Sequence, residues 1–232
     1  PEVCCSRTWG SIDGILAIGI CAGAQVANLA EISDNIVFLD SAPDELHHNS
    51  VVLNFELGIE QAIDYLLARG HTRIGFLGPN YKLDQKKRPA PEARQQHFIR
   101  YMAEKGLFSP GLLFDTRMTA ESARGLLCAC IQSGSRLPTA LLAANEEMAI
   151  GAISAFQEHG LRIPQDISII SFNDTPLSTL TDPPLTSINT HLDTMSAVAV
   201  DLLADWHSAP RPVPMKVVIP PSLTERGSVA AL

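Results

Sequence analysis

The sequence predicts an α/β protein built on doubly wound parallel sheets. Two observations carry this: short apolar runs of strand length recur along the chain, and amphipathic segments of helical period separate them. The 232 residues, 46% hydrophobic and 18% charged, suffice for one large domain or two smaller ones.

In chain order, 13–19 (DGILAIG), 35–40 (NIVFLD) and 50–54 (SVVLN) read as short buried strands. A helix follows over 56–71, with Ile59, Ile63, Leu66 and Leu67 on one face and Gly70 as its left-handed stop. Strands are expected at 73–78, 111–115, 139–144 and 166–172, separated by helices around 91–105, 119–133 and 146–159. The order then changes. Pro183-Pro184 forces 182–191 into an extended path, 193–207 is helical, and 214–228 is extended again. A chain that leaves one sheet and returns to it implies two lobes joined by several crossings.

Parallel sheets of this kind bind ligands at the carboxyl ends of their strands. There the sequence is unusual, because Asp40 closes NIVFLD, Asn145 ends TALLAA and Asn173 ends DISIISF. Each has two readings. Asn and Asp cap helices, and Asn145 directly precedes one, but the same side chains serve a ligand.

Other chemistry finds little support. The formal charge of −8 gives no basic footprint for holding phosphate backbones. The chain has no G-x-S-x-G, P-loop, H-E-x-x-H or G-x-G-x-x-G pattern, and no nucleophile–base pair emerges, so an enzyme is not expected. His47, His48 and His71 read as solvated or structural rather than metal-ligating. Five cysteines fall as Cys4-Cys5, Cys21 and Cys128-Ala-Cys130, spacings of neither a zinc site nor a disulfide framework; Cys128 and Cys130 read as core thiols. With no apolar run of spanning length and no secretory pattern, a reducing, cytoplasmic setting is expected. The Pro-rich cationic stretch 82–94 reads as a solvated loop, apart from Arg94, which begins a helix at the expected crevice.

The stretch PTALLAANEEMAIGAISAFQEHGLRIPQDISIISFNDTPLSTLTDPPLTSI, with DGILAIG, IVFLD, LLARGHTRIGFLGP, EAR before QQHFIRYMAEKGL, and SLTERGS in the same order, resembles the effector-binding domain of the LacI/GalR family of bacterial transcription regulators. Galactoside-responsive repressors are the members it is most similar to. The resemblance implies a periplasmic-binding-protein-like fold of type I: two Rossmann-like subdomains with parallel sheets, joined by three crossovers, with a small molecule held between them. The subdomains would be about 1–53 plus 191–220, and 54–190 plus 221–232.

It further implies effector contacts at Asp40, Arg94, Asn145 and Asn173. At Asn173 the family pattern has an acid, and a carboxamide donates as well as accepts. Where several relatives place a stacking ring, this chain has Asp115-Thr116, with Phe114 a step earlier. Nothing before Asp13 resembles the family's helix-turn-helix or the first strands of its effector domain, so these are expected to lie outside this chain. A homodimer is implied, through Ile150, Leu180 and the exposed face of 146–159. No cofactor is expected, and the effector class that suits the four side chains is a sugar or glycoside. The alternative is a sugar-binding protein of a transport system, which shares the two-lobed fold. Replacing Asn173 by Leu is expected to spare the fold and weaken the ligand.

Overall fold

In a computed structural model, residues 12–19, 23–83, 89–208 and 212–232 are described. They divide into two compact units. The first holds the described residues of Pro1–Leu53 and Leu192–Ile219; the second holds Asn54–Leu83, Pro89–His191 and Pro220–Leu232.

The first unit is a parallel sheet in the order β1 (Ile15–Ile18), β2 (Ile36–Leu39), β3 (Asn49–Leu53), β11 (Lys216–Ile219). Period-2 alternation sends its apolar side chains to opposite faces. Ile36 and Phe38 join Ala17 and Val26 of helix α1 (Gly23–Ala30), while Val37 and Val51 join Met195, Ala199 and Leu202 of helix α6 (Leu192–Ser208). Helix α1 is absent from the sequence reading. Its residues are mostly small, and only Val26 is buried, so its apolar stripe is too narrow to show as a period.

The second unit is a six-stranded sheet in the order β12 (Ser222–Thr224), β10 (Thr186–Asn189), β9 (Ser168–Asn173), β8 (Ala140–Ala143), β4 (Ile74–Gly78), β7 (Leu113–Asp115). Only the edge strand β12 runs antiparallel. Helix α2 (Phe55–Leu67) packs against α3 (Ala93–Glu104), and α4 (Ala120–Gln132) against α5 (Glu146–Glu158). Helix α2 buries Ile59, Ile63 and Leu66 as its period requires, and the chain turns after it at Gly70, whose φ of 89° suits glycine. The α4–α5 contact depends on Gly151, where a Cβ would stand 2.2 Å from the Ala120 carbonyl oxygen.

Two details depart from the sequence reading and a third refines it. Pro110 starts a 3₁₀ turn over Pro110–Leu112, so only Leu113–Asp115 of the expected 111–115 strand pairs. The 82–94 stretch is not simply a loop, because β5 (Tyr81–Leu83) and β6 (Pro89–Pro91) pair antiparallel on either side of 84–88; the charges in 84–88 lie outside the described residues. The extended 214–228 stretch is two strands, β11 in the first unit and β12 in the second. Cys128 and Cys130 are half-buried at the margin of the core rather than within it, and Cys4, Cys5 and Cys21 lie outside the described residues.

Candidate functional site

The backbone marks the carboxyl edges of the sheets. Among the described residues, four besides glycines hold left-handed φ: Asp40 at 61°, Asn173 at 97°, Asp174 at 58° and His191 at 51°. Asp40 follows β2, the pair 173–174 ends β9, and His191 follows β10. Asn and Asp tolerate this region better than other side chains because they bond locally to the backbone. Strain of this kind, confined to strand ends, is what a binding edge shows.

Asn145 and Asn173 stand at the ends of adjacent parallel strands, β8 and β9. Their local roles differ. Asn145 Oδ1 accepts from the backbone N–H of Met148 at 2.9 Å and so caps α5, which leaves its Nδ2 without a partner among the described residues. Asn173 caps no helix. Its Nδ2 donates to Glu146 Oε2 at 3.5 Å, and its Oδ1 takes no hydrogen bond from the described residues. The left-handed backbone overturns the expectation for Asn173→Leu, since a branched apolar side chain is strained there.

Arg94 reaches the same edge. It is only 5% exposed, and a buried carboxylate, Glu92, explains how its charge is tolerated. Glu92 Oε2 caps α3 by accepting from the backbone N–H of Gln95 at 3.1 Å, and Oε1 accepts from Arg94 Nε at 2.9 Å. The guanidinium also donates to the carbonyl oxygen of Ala144, the residue before Asn145. It lies 5.4 Å from the ring of Phe55 and 6.0 Å from that of Phe172, the residue before Asn173. Arg94, Asn145 and Asn173 are thereby gathered at one sheet edge. Asp40 belongs to the first unit, where it is exposed and its N–H donates to Val51 at 3.0 Å.

Residues the sequence did not single out hold this edge in shape. Glu146, 3% exposed, accepts on Oε1 from the backbone N–H of Thr175 at 2.5 Å and from Ser178 Oγ at 3.1 Å. Asp174 Oδ2 accepts from Asn189 Nδ2 at 3.0 Å and Thr224 Oγ1 at 2.6 Å; Oδ1 pairs with Arg226 at 2.6 Å, an ion pair whose angle falls short of a hydrogen bond. Glu92 gave no signal because glutamate is an uncommon cap, and Glu146 because an acid in a first helical turn is ordinarily solvated. Phe114 is buried in the core and offers no stacking face; Phe55, beside Arg94, is the aromatic at this edge.

Three histidines have local partners. His71 is buried between Thr139 Oγ1 at 3.1 Å and the Ala230 carbonyl at 2.9 Å, and burial pushes its pKa down. His47 is exposed and pairs with Asp44, while His48 stands edge-on to Phe38. Among the described residues no cluster of His, Cys, Asp or Glu could hold a metal ion, and no helix is long and apolar enough to cross a membrane.

Comparison with known proteins agrees with this architecture. The periplasmic binding protein-like domain family matches residues 63–229. The HTH-type transcriptional regulator GalR of Streptococcus thermophilus is 35% identical over 93% of this chain and 65% of its own length. GalR of Lacticaseibacillus casei is 30% identical over 98% of this chain and 69% of its own. The chain thus spans about two thirds of the length of these relatives. A LacI family transcriptional regulator from Enterococcus faecium, solved with bound ribose, superimposes with a TM-score of 0.80 over 95% of this chain and 81% of that one, at 22% identity, which establishes the shared fold. The chain belongs to the LacI/GalR family, of which it carries the periplasmic binding protein-like domain.

Proposed function

We propose that this chain is the effector-sensing part of a cytoplasmic DNA-binding transcription regulator, a repressor, whose effector is a sugar or glycoside. The observation that carries the reading is the convergence of Arg94, Asn145 and Asn173 on one strand edge, with donor capacity on Asn145 Nδ2 and an open acceptor at Asn173 Oδ1. A guanidinium and two carboxamides form a mixed donor and acceptor set that suits a neutral ligand dense in hydroxyls. Phe55 gives the ligand an apolar face, and the protein from Enterococcus faecium shows that this fold accepts a pentose.

DNA contact belongs to a helix-turn-helix outside these 232 residues, in keeping with the longer HTH-type relatives and with the charge of −8. The names of those relatives favour the regulator over the transport protein. The chain pairs with a second copy through the hollow beside Ile150, where Leu177 and Leu180 stay 43% and 78% exposed.

A thermal-shift screen of monosaccharides, disaccharides and nucleobases tests the effector class, because a bound ligand raises the melting temperature by mass action. A sugar is expected to stabilise the chain, and Asn173→Ala is expected to abolish that shift. Stabilisation by nucleobases alone would reverse the assignment.

A further inference from the structure

We propose that Glu146 fixes the Asn173 carboxamide with its oxygen outward, so that position 173 serves as a hydrogen-bond acceptor for a ligand hydroxyl. The proposal rests on the effector reading above and assigns a positioning residue to it.

The argument follows the protons. Glu146 is almost fully buried, and its carboxylate can only accept. Oε1 is held by the Thr175 N–H at 2.5 Å and the Ser178 hydroxyl at 3.1 Å, which leaves Oε2 facing Asn173 at 3.5 Å. A carboxamide oxygen turned toward Oε2 would set two acceptors against each other, so Nδ2 faces inward. Oδ1 then faces away from Glu146, and no described residue donates to it. An asparagine held this way offers the ligand what an aspartate would, without a second negative charge beside Glu146.

Glu146→Gln separates this role from simple support. The Thr175 N–H can only donate, so the glutamine oxygen must stay with it and the glutamine Nε2 comes to face Asn173. The carboxamide then turns over and presents Nδ2 to the ligand, exchanging an acceptor for a donor at nearly constant volume. Adding Asn173→Asp restores the acceptor, because one aspartate oxygen takes the glutamine Nε2–H and the other faces outward.

The test uses calorimetry with D-glucose, D-galactose, D-ribose and cellobiose, carrying the tightest binder of the four through the variants. Glu146→Gln is expected to weaken it about tenfold, the value of one misdirected hydrogen bond, and the double variant N173D/E146Q to return within about threefold of the parent. Parent-like binding by Glu146→Gln, or a folded double variant as weak as the single one, overturns the proposal. If Glu146→Gln does not fold, Glu146→Asp decides by the same calorimetry: its shorter side chain draws the carboxylate away from Asn173 Nδ2, so it must weaken the ligand, and parent-like binding refutes the idea. Without any ligand, the side-chain amide NMR resonance of Asn173 should move in Glu146→Gln and stay in place in Ser178→Ala; an unmoved resonance in Glu146→Gln refutes the fixed orientation. If none of the four sugars binds the parent, the sugar reading fails for this panel, while the amide resonance still decides the role of Glu146.

Discussion

The second unit buries one continuous core from Ile59 to Ile188 around six strands, whereas the first divides its buried side chains into two small groups on the faces of four strands. Edge strand β1 of the first unit leaves Leu16 39% and Ile18 78% exposed. The apolar area removed from water sets most of the folding free energy, so, judged on the described residues, the second unit is expected to be the more stable and the described part of the first to open more readily. Among the described residues, the non-glycine residues of left-handed φ are shared unequally too, with three in the second unit and Asp40 in the first. Of the four residues proposed as contacts, Arg94, Asn145 and Asn173 belong to the second unit and Asp40 to the first.

Core substitutions should break this comparison most sharply. Phe156→Ala, fully buried in the second unit, is expected to cost about 4 kcal/mol, and Leu202→Ala, in a small group of the first unit, about 2 kcal/mol. Urea unfolding followed by hydrogen exchange should show β2 and β3 exchanging before β8 and β9. Equal protection in the two sheets would remove the distinction.

Arg94→Met comes next. It leaves Glu92 buried without its cation and is expected to cost about 3 kcal/mol, whereas Asp166→Asn, which removes one partner of the exposed Arg162–Asp166 pair, should move the midpoint far less because solvent screens that pair. Denaturant midpoints measure both. Adding Glu92→Gln to Arg94→Met should recover much of the loss, because the stranded charge is then gone.

The two asparagines sharpen the contrast between neighbouring strand ends. Asn173→Leu is expected to cost about 1–2 kcal/mol more than Asn173→Gly through its left-handed backbone, while both lose the donor to the buried Glu146 carboxylate. Asn145→Ala should cost about 1 kcal/mol, the value of a lost helix cap. If Asn145→Ala is neutral while ligand binding falls, capping is not its main task.

The smallest expected effect is on pH dependence. Burial holds the pKa of His71 below its usual value, so the unfolded chain binds this proton more readily than the folded one. His71 therefore contributes stability that is present above about pH 6.5 and is lost as pH falls through that value toward the folded pKa. Melting temperatures between pH 8 and pH 5 should fall less steeply for His71→Gln than for the parent.

The sequence by itself determined the alternation of strands and helices, the face that α2 buries, the left-handed stop at Gly70 and the polar residues at the strand ends, because each depends on neighbours within a turn or a pleat. It left Asn145 open between cap and ligand contact, and it missed α1, whose apolar side is Val26 with the partly buried Leu29. Only the tertiary structure decided that Asn145 is a cap while Asn173 is not, that Arg94 is buried on Glu92 and Ala144, and that Glu146 holds a turn 29 residues further on. Such contacts join residues whose separation along the chain carries no period. Whether a buried charge or carboxamide is satisfied depends on which donors the fold brings to it, and no local pattern records that.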